Sequence, residues 1–178
     1  MILWILFILA TGVERLVEMV ISRRHAAIVI GRGGREYGRG QMAWMIPLHT
    51  ALLLGCIIEP IALDREFTPW TGVPLLVVAI ACQVLRYWCI HSLGEYWNTR
   101  VIVQPGMTLS ARGPYRFLPH PNYLVVIVEG IALPLVYNAW ITAVAFTVLN
   151  AVLLFGFRIP LEERALREAS GAEVGPRR

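Results

Sequence analysis

Lysine is missing from the whole of this 178-residue chain, so all sixteen of its strongly basic side chains are arginines. Schiff-base chemistry on a lysine is thereby excluded, and so is a phosphate-binding loop that depends on one. Cysteine is scarce: Cys56, Cys82 and Cys89 each sit inside an apolar run, at spacings that build no metal site. They are expected to be small buried hydrophobes, and no metal is expected. Charge of either sign is sparse, at 16% of residues, whereas 57% are hydrophobic and the mean hydropathy is +0.60. Soluble domains are nearer 45–50% apolar, so the composition points to one integral membrane domain. No small-x-small cleavage site follows the first apolar run, which leads straight into "ERLVEMVISRR". A retained helix is expected there, not a signal peptide. No internal repeat is visible, and no nucleic acid is expected as a partner.

What is present is an all-α pattern of five apolar segments, roughly 1–21, 42–63, 72–91, 122–137 and 139–157. Their lengths approach the ~20 residues that a membrane helix needs. "VYNAW" between the last two reads as a tight hairpin turn. The arginines set the orientation. Arg23, Arg24, Arg32, Arg35 and Arg39 lie in the first connection, Arg100, Arg112 and Arg116 in the third, and Arg158, Arg164, Arg167, Arg177 and Arg178 in the tail. Opposite these thirteen stands Arg65 alone, between Asp64 and Glu66. The imbalance predicts an N-terminus outside and a C-terminus in the cytoplasm. "GRGGREYGRG" follows no strand and lacks the phosphate-loop residues, so it is expected to be a flexible basic loop beside anionic lipid. Residues 92–121 are polar, aromatic and too long for a simple connection, and should form a folded cytoplasmic element.

Two polar clusters interrupt the apolar pattern. In "GPYRFLPHPNY", residues 113–123, Pro121 suits the first turn of a helix, whose free amides attract an anion. Arg116, His120 and Asn122 add donors for the same anion, although Tyr115, Arg116 and Tyr123 are also residue types that anchor helices at headgroup level. In "FRIPLEERAL", residues 157–166, Pro160 marks a new helix start where Glu162 and Glu163 are favourably placed. Donors on one side and carboxylates on the other would suit a zwitterion or a cation. Inside the membrane, Arg86 is expected to pair with Glu129 and Arg15 with Glu18, as structural contacts.

"GPYRFLPHPNY", followed some forty residues later by an arginine and "EERAL", closely resembles the isoprenylcysteine carboxyl methyltransferase family. The usual signature there is GPYR, two residues, RHPxY, and later R and EE before a leucine. In the N-terminal half, "RLVEMVISRR" and "LRYWCIHSLGEYWNTRVIV" look like the small bacterial members found beside type III polyketide synthases, which methylate the acidic hydroxyl of long-chain alkylpyrones. The resemblance implies S-adenosylmethionine as cofactor, a bacterial cytoplasmic membrane location and a polyketide synthase as functional partner. It divides the single domain 1–178 into substrate-side helices, 1–91, and a cofactor-binding half, 92–178. By resemblance, Gln104, Gly106, Gly113, Tyr115, Arg116, His120, Asn122 and Tyr123 line the cofactor pocket, with Arg158 and Glu163 closing it. One departure is plain: Pro119 stands where the pattern has arginine. Either Arg116 or Arg100 covers that role, or the cofactor is held more weakly.

An acidic enol or a carboxylate is ionised near neutral pH, so its methylation needs positioning and a cation for the oxyanion, with no strong base. Arg100, in "WNTR", is the candidate for that role, with Asn98 assisting. Three classes compete: a methyltransferase acting on an alkylpyrone or on an isoprenylcysteine-like carboxylate, an NAD(P)H-dependent reductase of the sterol-reductase kind, whose C-terminal region resembles this motif, and a membrane scaffold without chemistry.

Overall fold

The computed structural model describes residues 1–106 and 112–170. Two of the cations counted above, Arg177 and Arg178, lie outside the described residues. The chain is mostly helical, in the order α1 (Ile2–Gly31), β1 (Arg35–Tyr37), α2 (Met42–Ala62), α3 (Pro69–Leu93), β2 (Val101–Val103), α4 (Pro121–Leu135), α5 (Trp140–Leu153) and α6 (Ile159–Ser170). Each of the five apolar segments is helical. Among the described residues, three helical stretches are long and apolar enough to cross a membrane: Met42–Ala62, Pro69–Tyr96 and Trp140–Ala169. α4 is apolar but shorter, and α1 carries Glu14, Arg15, Glu18, Arg23 and Arg24 along its length.

α4 is the central helix, packed between α3 and α5, with α2 against α5 and α1 across α2. The core joins Trp4, Ile8, Leu52, Cys56, Ala79, Val126, Leu133, Phe146 and Leu154. Gly130 lets α5 approach, because a Cβ there would overlap the Phe146 ring. Close helix contact through small residues is how packing is won where lipid is as apolar as leucine. Outward side chains such as Leu3, Leu9, Val77, Val84, Val148 and Val152 are exposed on the apolar surface. All three cysteines are buried and free.

Charge inside the helices is paired. Arg15 donates to Glu18 at 2.7 Å and to Glu129 at 3.1 Å, Gln83 donates to Glu129 at 3.0 Å, and Arg86 donates to Glu129. Both expected pairs are present, fused into one network across α1, α3 and α4. Glu59, which the sequence leaves without a role, accepts from the backbone amides of Ile141 and Thr142 and from the Thr142 hydroxyl. Its carboxylate thus meets the positive end of α5 and satisfies amides that the helix start leaves open.

Three expectations are corrected. α1 continues to Gly31, ten residues beyond its apolar run, because nothing in "SRRHAAIVI" breaks a helix. The glycine-rich loop is not simply flexible: its residues Arg35–Tyr37 form a strand antiparallel to Val101–Val103, with Glu36 opposite Ile102. The glycines do the turning on either side, Gly33 and Gly38 having positive φ. Third, Pro160 stands in the first turn of α6, as expected, but α6 is not set apart from α5. The chain runs from α5 through a π-helical turn, Leu154–Arg158, directly into α6, and the wider turn accommodates the backbone near a residue that lacks an amide hydrogen.

Candidate active site

Pro121 opens α4, with His120 at the N-cap. Just before it, Gly113–Arg116 forms a single 3₁₀ turn lying against α3. Gly113 has φ +55, and a Cβ on it would overlap Ser92 and crowd Trp88, so glycine is required for the turn to dock. On the facing side, the π-helical turn swings Arg158 inward, where it is buried.

Arg158 is the hub. Its Nε donates to the Tyr123 hydroxyl at 3.0 Å, and its Nη2 donates to the Thr99 carbonyl at 2.7 Å. Tyr123 in turn donates to Glu162. His120 stacks on Tyr123 with ring centroids 5.3 Å apart, and its Nδ1 and Nε2 lie 3.6 Å from Glu162 and Glu163 respectively. Those two contacts are ion pairs, too long for hydrogen bonds. Burial alone would lower the His120 pKa, but Glu162 and then Glu163 outweigh it and raise the value above the ordinary imidazole one. α4 and α6 are therefore joined by charge and hydrogen bonds in one half-buried cluster around the buried Tyr123 and Arg158.

The segment after α3 is seated by α1. Ser22 donates to Asn98 Oδ1 at 3.0 Å and accepts the Thr99 amide at 2.9 Å, while His25 contacts the Trp97 carbonyl at 2.9 Å. Arg100 is held by Glu36, its Nη1 lying 3.1 and 3.2 Å from the two carboxylate oxygens. β2 packs Val101 and Val103 on Ala165 and Leu161 of α6, and the Gly106 amide donates to the Ala169 carbonyl at 3.0 Å.

Seven buried side-chain polar atoms lack a hydrogen-bond partner among the described residues, and four belong to residues assigned to the site: Asn98 Nδ2, Gln104 Oε1, His120 Nε2 and Asn122 Oδ1. His120 Nε2 still has Glu163 at 3.6 Å, whereas an atom with no such neighbour costs roughly 1–3 kcal/mol unless something binds it. A donor-and-acceptor set of this kind, beside two carboxylates and a buried guanidinium, fits a small polar molecule carrying both charges.

The structure thus brings His120, Tyr123, Arg158 and Glu163 together, with Asn122 next to His120 and Asn98 and Arg100 flanking Thr99. Tyr115 lies against Cys89 at the base of the 3₁₀ turn. Arg116 is not drawn in: it is exposed, over the Phe117 ring at 5.2 Å. Gly106 is also exposed, with positive φ. Sequence reasoning missed Glu162 as the partner of Tyr123 and His120, and Glu36 as the partner of Arg100. The first had a signal, since Arg158 and Glu162 at i, i+4 share a helix face.

Residues 75–168 match the model of the isoprenylcysteine carboxyl methyltransferase family. An uncharacterized protein of Bacillus subtilis (strain 168), YpbQ, is 38% identical over 158 residues, which cover 89% of this chain and 93% of the relative. An uncharacterized protein of Haemophilus influenzae is 28% identical over 155 residues, covering 85% of this chain and 88% of the relative. No solved structure matches.

Proposed function

This chain belongs to the isoprenylcysteine carboxyl methyltransferase family, and from that premise we propose that it is a membrane O-methyltransferase using S-adenosylmethionine on a lipophilic, acidic acceptor. The observation that carries the reading is the half-buried cluster His120–Tyr123–Arg158–Glu162–Glu163, with neighbouring polar atoms that lack a hydrogen-bond partner among the described residues. Glu162 and Glu163 suit the cationic parts of the cofactor. His120 suits its carboxylate, and the unpartnered acceptors Gln104 Oε1 and Asn122 Oδ1 suit its donor groups, while Gly113, Tyr115 and Gly106 shape the surrounding backbone. When bound, S-adenosylmethionine would supply an activated methyl group for the acceptor oxygen, its sulfonium becoming a neutral thioether. On the acceptor side, Asn98 Nδ2 is a buried donor without a partner among the described residues, and Arg100 provides the cation, shared with Glu36. Both roles are positioning and charge stabilisation, which suffice for an acceptor that is already an oxyanion.

The acceptor we propose is a long-chain alkylpyrone supplied by a type III polyketide synthase, with residues 1–91 forming the substrate side and 92–178 the cofactor half. Purified protein should bind S-adenosylmethionine but not NADPH, and should transfer a labelled methyl group to the alkylpyrone and not to a long-chain alcohol. Transfer to farnesylcysteine alone would move the assignment to carboxyl methylation, and NADPH binding alone would replace methyl transfer with reduction.

We further propose five crossings, with α1 and α4 included. α4 has fifteen residues, about 22 Å at 1.5 Å each, so it must cross with its hairpin to α5 partly in the interface. The arginine imbalance puts the N-terminus outside and the cofactor site in a bacterial cytoplasm. Reporters fused after Arg178 should be active only inside; activity outside reverses the topology.

A further inference from the structure

Where α1 outruns its apolar stretch, Ser22, His25, Ala26 and Val29 follow one another at helical spacing along a single face. That face seats the segment after α3: Ala26 and Val29 pack on Ile102, and Ser22, 1% exposed, meets Asn98 and Thr99. We propose that Ser22 is a positioning residue for the acceptor. It takes up the carbonyl end of the Asn98 side chain, so that Nδ2 is presented as a hydrogen-bond donor to the acceptor oxyanion. This deepens the methyltransferase reading and rests on it.

A serine or threonine inside a helix often spends its hydroxyl on the carbonyl four residues back. Thr11 does so on α1, donating to the Phe7 carbonyl at 3.0 Å, and Thr50 on α2, donating to the Ile46 carbonyl at 2.9 Å. Ser22 reaches off its helix instead. It donates to Asn98 Oδ1 at 3.0 Å, accepts the Thr99 amide at 2.9 Å and has Thr99 Oγ1 at 2.8 Å. A hydroxyl offers one proton and two lone pairs. With the Thr99 hydroxyl donating, all three are used, and the Ser22 proton goes to Asn98 Oδ1. The other end of that amide, Nδ2, is then a buried donor with no partner among the described residues.

The backbone around Asn98 is held from both sides. His25 Nδ1 lies 2.9 Å from the Trp97 carbonyl, and Arg158 donates to the Thr99 carbonyl at 2.7 Å. The direction of Nδ2 is therefore set before a ligand arrives, which is the condition under which a donor stabilises an oxyanion without reorganising. Ser22 and His25 lie outside the family-matched residues 75–168, so this orientation comes from the N-terminal half of the chain.

The test measures binding and needs no turnover. Full-length protein in lipid nanodiscs, without S-adenosylmethionine, is titrated calorimetrically with a 4-hydroxy-2-pyrone bearing a pentadecyl tail, at a pH where the pyrone is ionised. Wild type, Ser22→Ala, Asn98→Ala and the double variant are compared. Each single change should weaken binding about ten-fold or more, as expected for a lost hydrogen bond to a charged group. The double variant should bind no more weakly than either single one, because Ser22 acts through Asn98. Below the pyrone pKa, where the acceptor is neutral, the loss in Ser22→Ala should shrink. Ser22→Cys, which keeps the volume with a weak donor, replaces the alanine variant if that one does not fold. Losses that add in the double variant, or that are equal at both pH values, mean that Ser22 only supports the fold, and the proposal falls. It falls equally if Ser22→Ala binds as wild type does, if Asn98→Ala binds the anion more tightly, or if the wild type binds no pyrone anion. Coupled losses with no methyl transfer once S-adenosylmethionine is added would uphold the positioning role and fail the methyltransferase reading alone.

Discussion

Arg86→Leu is expected to destabilise the protein by about 3–5 kcal/mol, the cost of stripping one partner from a buried ion network. Arg86 meets Glu129 directly and lies 3.8 Å from Glu18, with 6% of its surface exposed. Without it, Glu14, Glu18 and Glu129 are left around the single guanidinium of Arg15. Three carboxylates and one cation in an apolar interior cannot all remain charged at low cost. Typical stabilities are 5–15 kcal/mol, so the loss is a large share of the whole. The double variant Arg86→Leu/Glu129→Leu removes the pair together and leaves Arg15 with Glu14, Glu18 and Gln83, so it should be less damaging than the single change. Thermal unfolding in detergent decides it: a double variant as unstable as Arg86→Leu, or more so, would show that the network is not what Arg86 serves.

The two pairs of that network, though not their fusion through Arg15 and Gln83, are legible in the sequence because an arginine in an apolar run has few alternatives to pairing, and Arg86 and Glu129 stand on successive helices. The same economy explains why the five apolar segments and the start of α4 at Pro121 could be read directly. Two features could not. β1 and β2 are three residues each, and "REY" carries no alternation, so their pairing is a non-local event with almost no local trace. The π-helical turn is likewise silent: Pro160 in sequence marks a helix start, and nothing local tells that α5 runs into it without a break.

In the site, residues that sit close in sequence to a turn or a proline were found, and their long-range partners were not. His120 and Tyr123 follow from "HPNY", whereas Glu36, Ser22 and Thr99 come from α1, the first loop and the segment after α3. The sequence offers Arg100 as the cation for an oxyanion, but strand pairing brings Glu36 to it. An oxyanion at Arg100 therefore competes with a carboxylate already present, which makes Asn98 Nδ2, without a partner among the described residues, the stronger attraction nearby.

His120→Ala and Glu163→Gln should each weaken S-adenosylmethionine binding by ten-fold to more than a hundred-fold, since a hydrogen bond to a charged group contributes roughly 1.5–3 kcal/mol. The two residues face each other at 3.6 Å across the gap between α4 and α6, so each can reach a ligand placed there. Calorimetry on both variants tests the placement, and unchanged affinity in both would move the pocket elsewhere. The same histidine predicts a pH response. Its pKa is raised in the folded protein by Glu162 and Glu163 against the effect of burial, so folding favours the protonated ring. The stabilisation is complete below the ordinary histidine value of about 6.5 and is lost as pH rises through the higher folded value. The thermal midpoint of the wild type should thus fall on going from mildly acidic to mildly alkaline buffer, and His120→Ala should lose that dependence. Cofactor affinity should follow the same direction, because a neutral ring attracts a carboxylate less and leaves Glu162 and Glu163 without their shared cation. An affinity that rises with pH over this range would mean that His120 binds its ligand as the neutral imidazole.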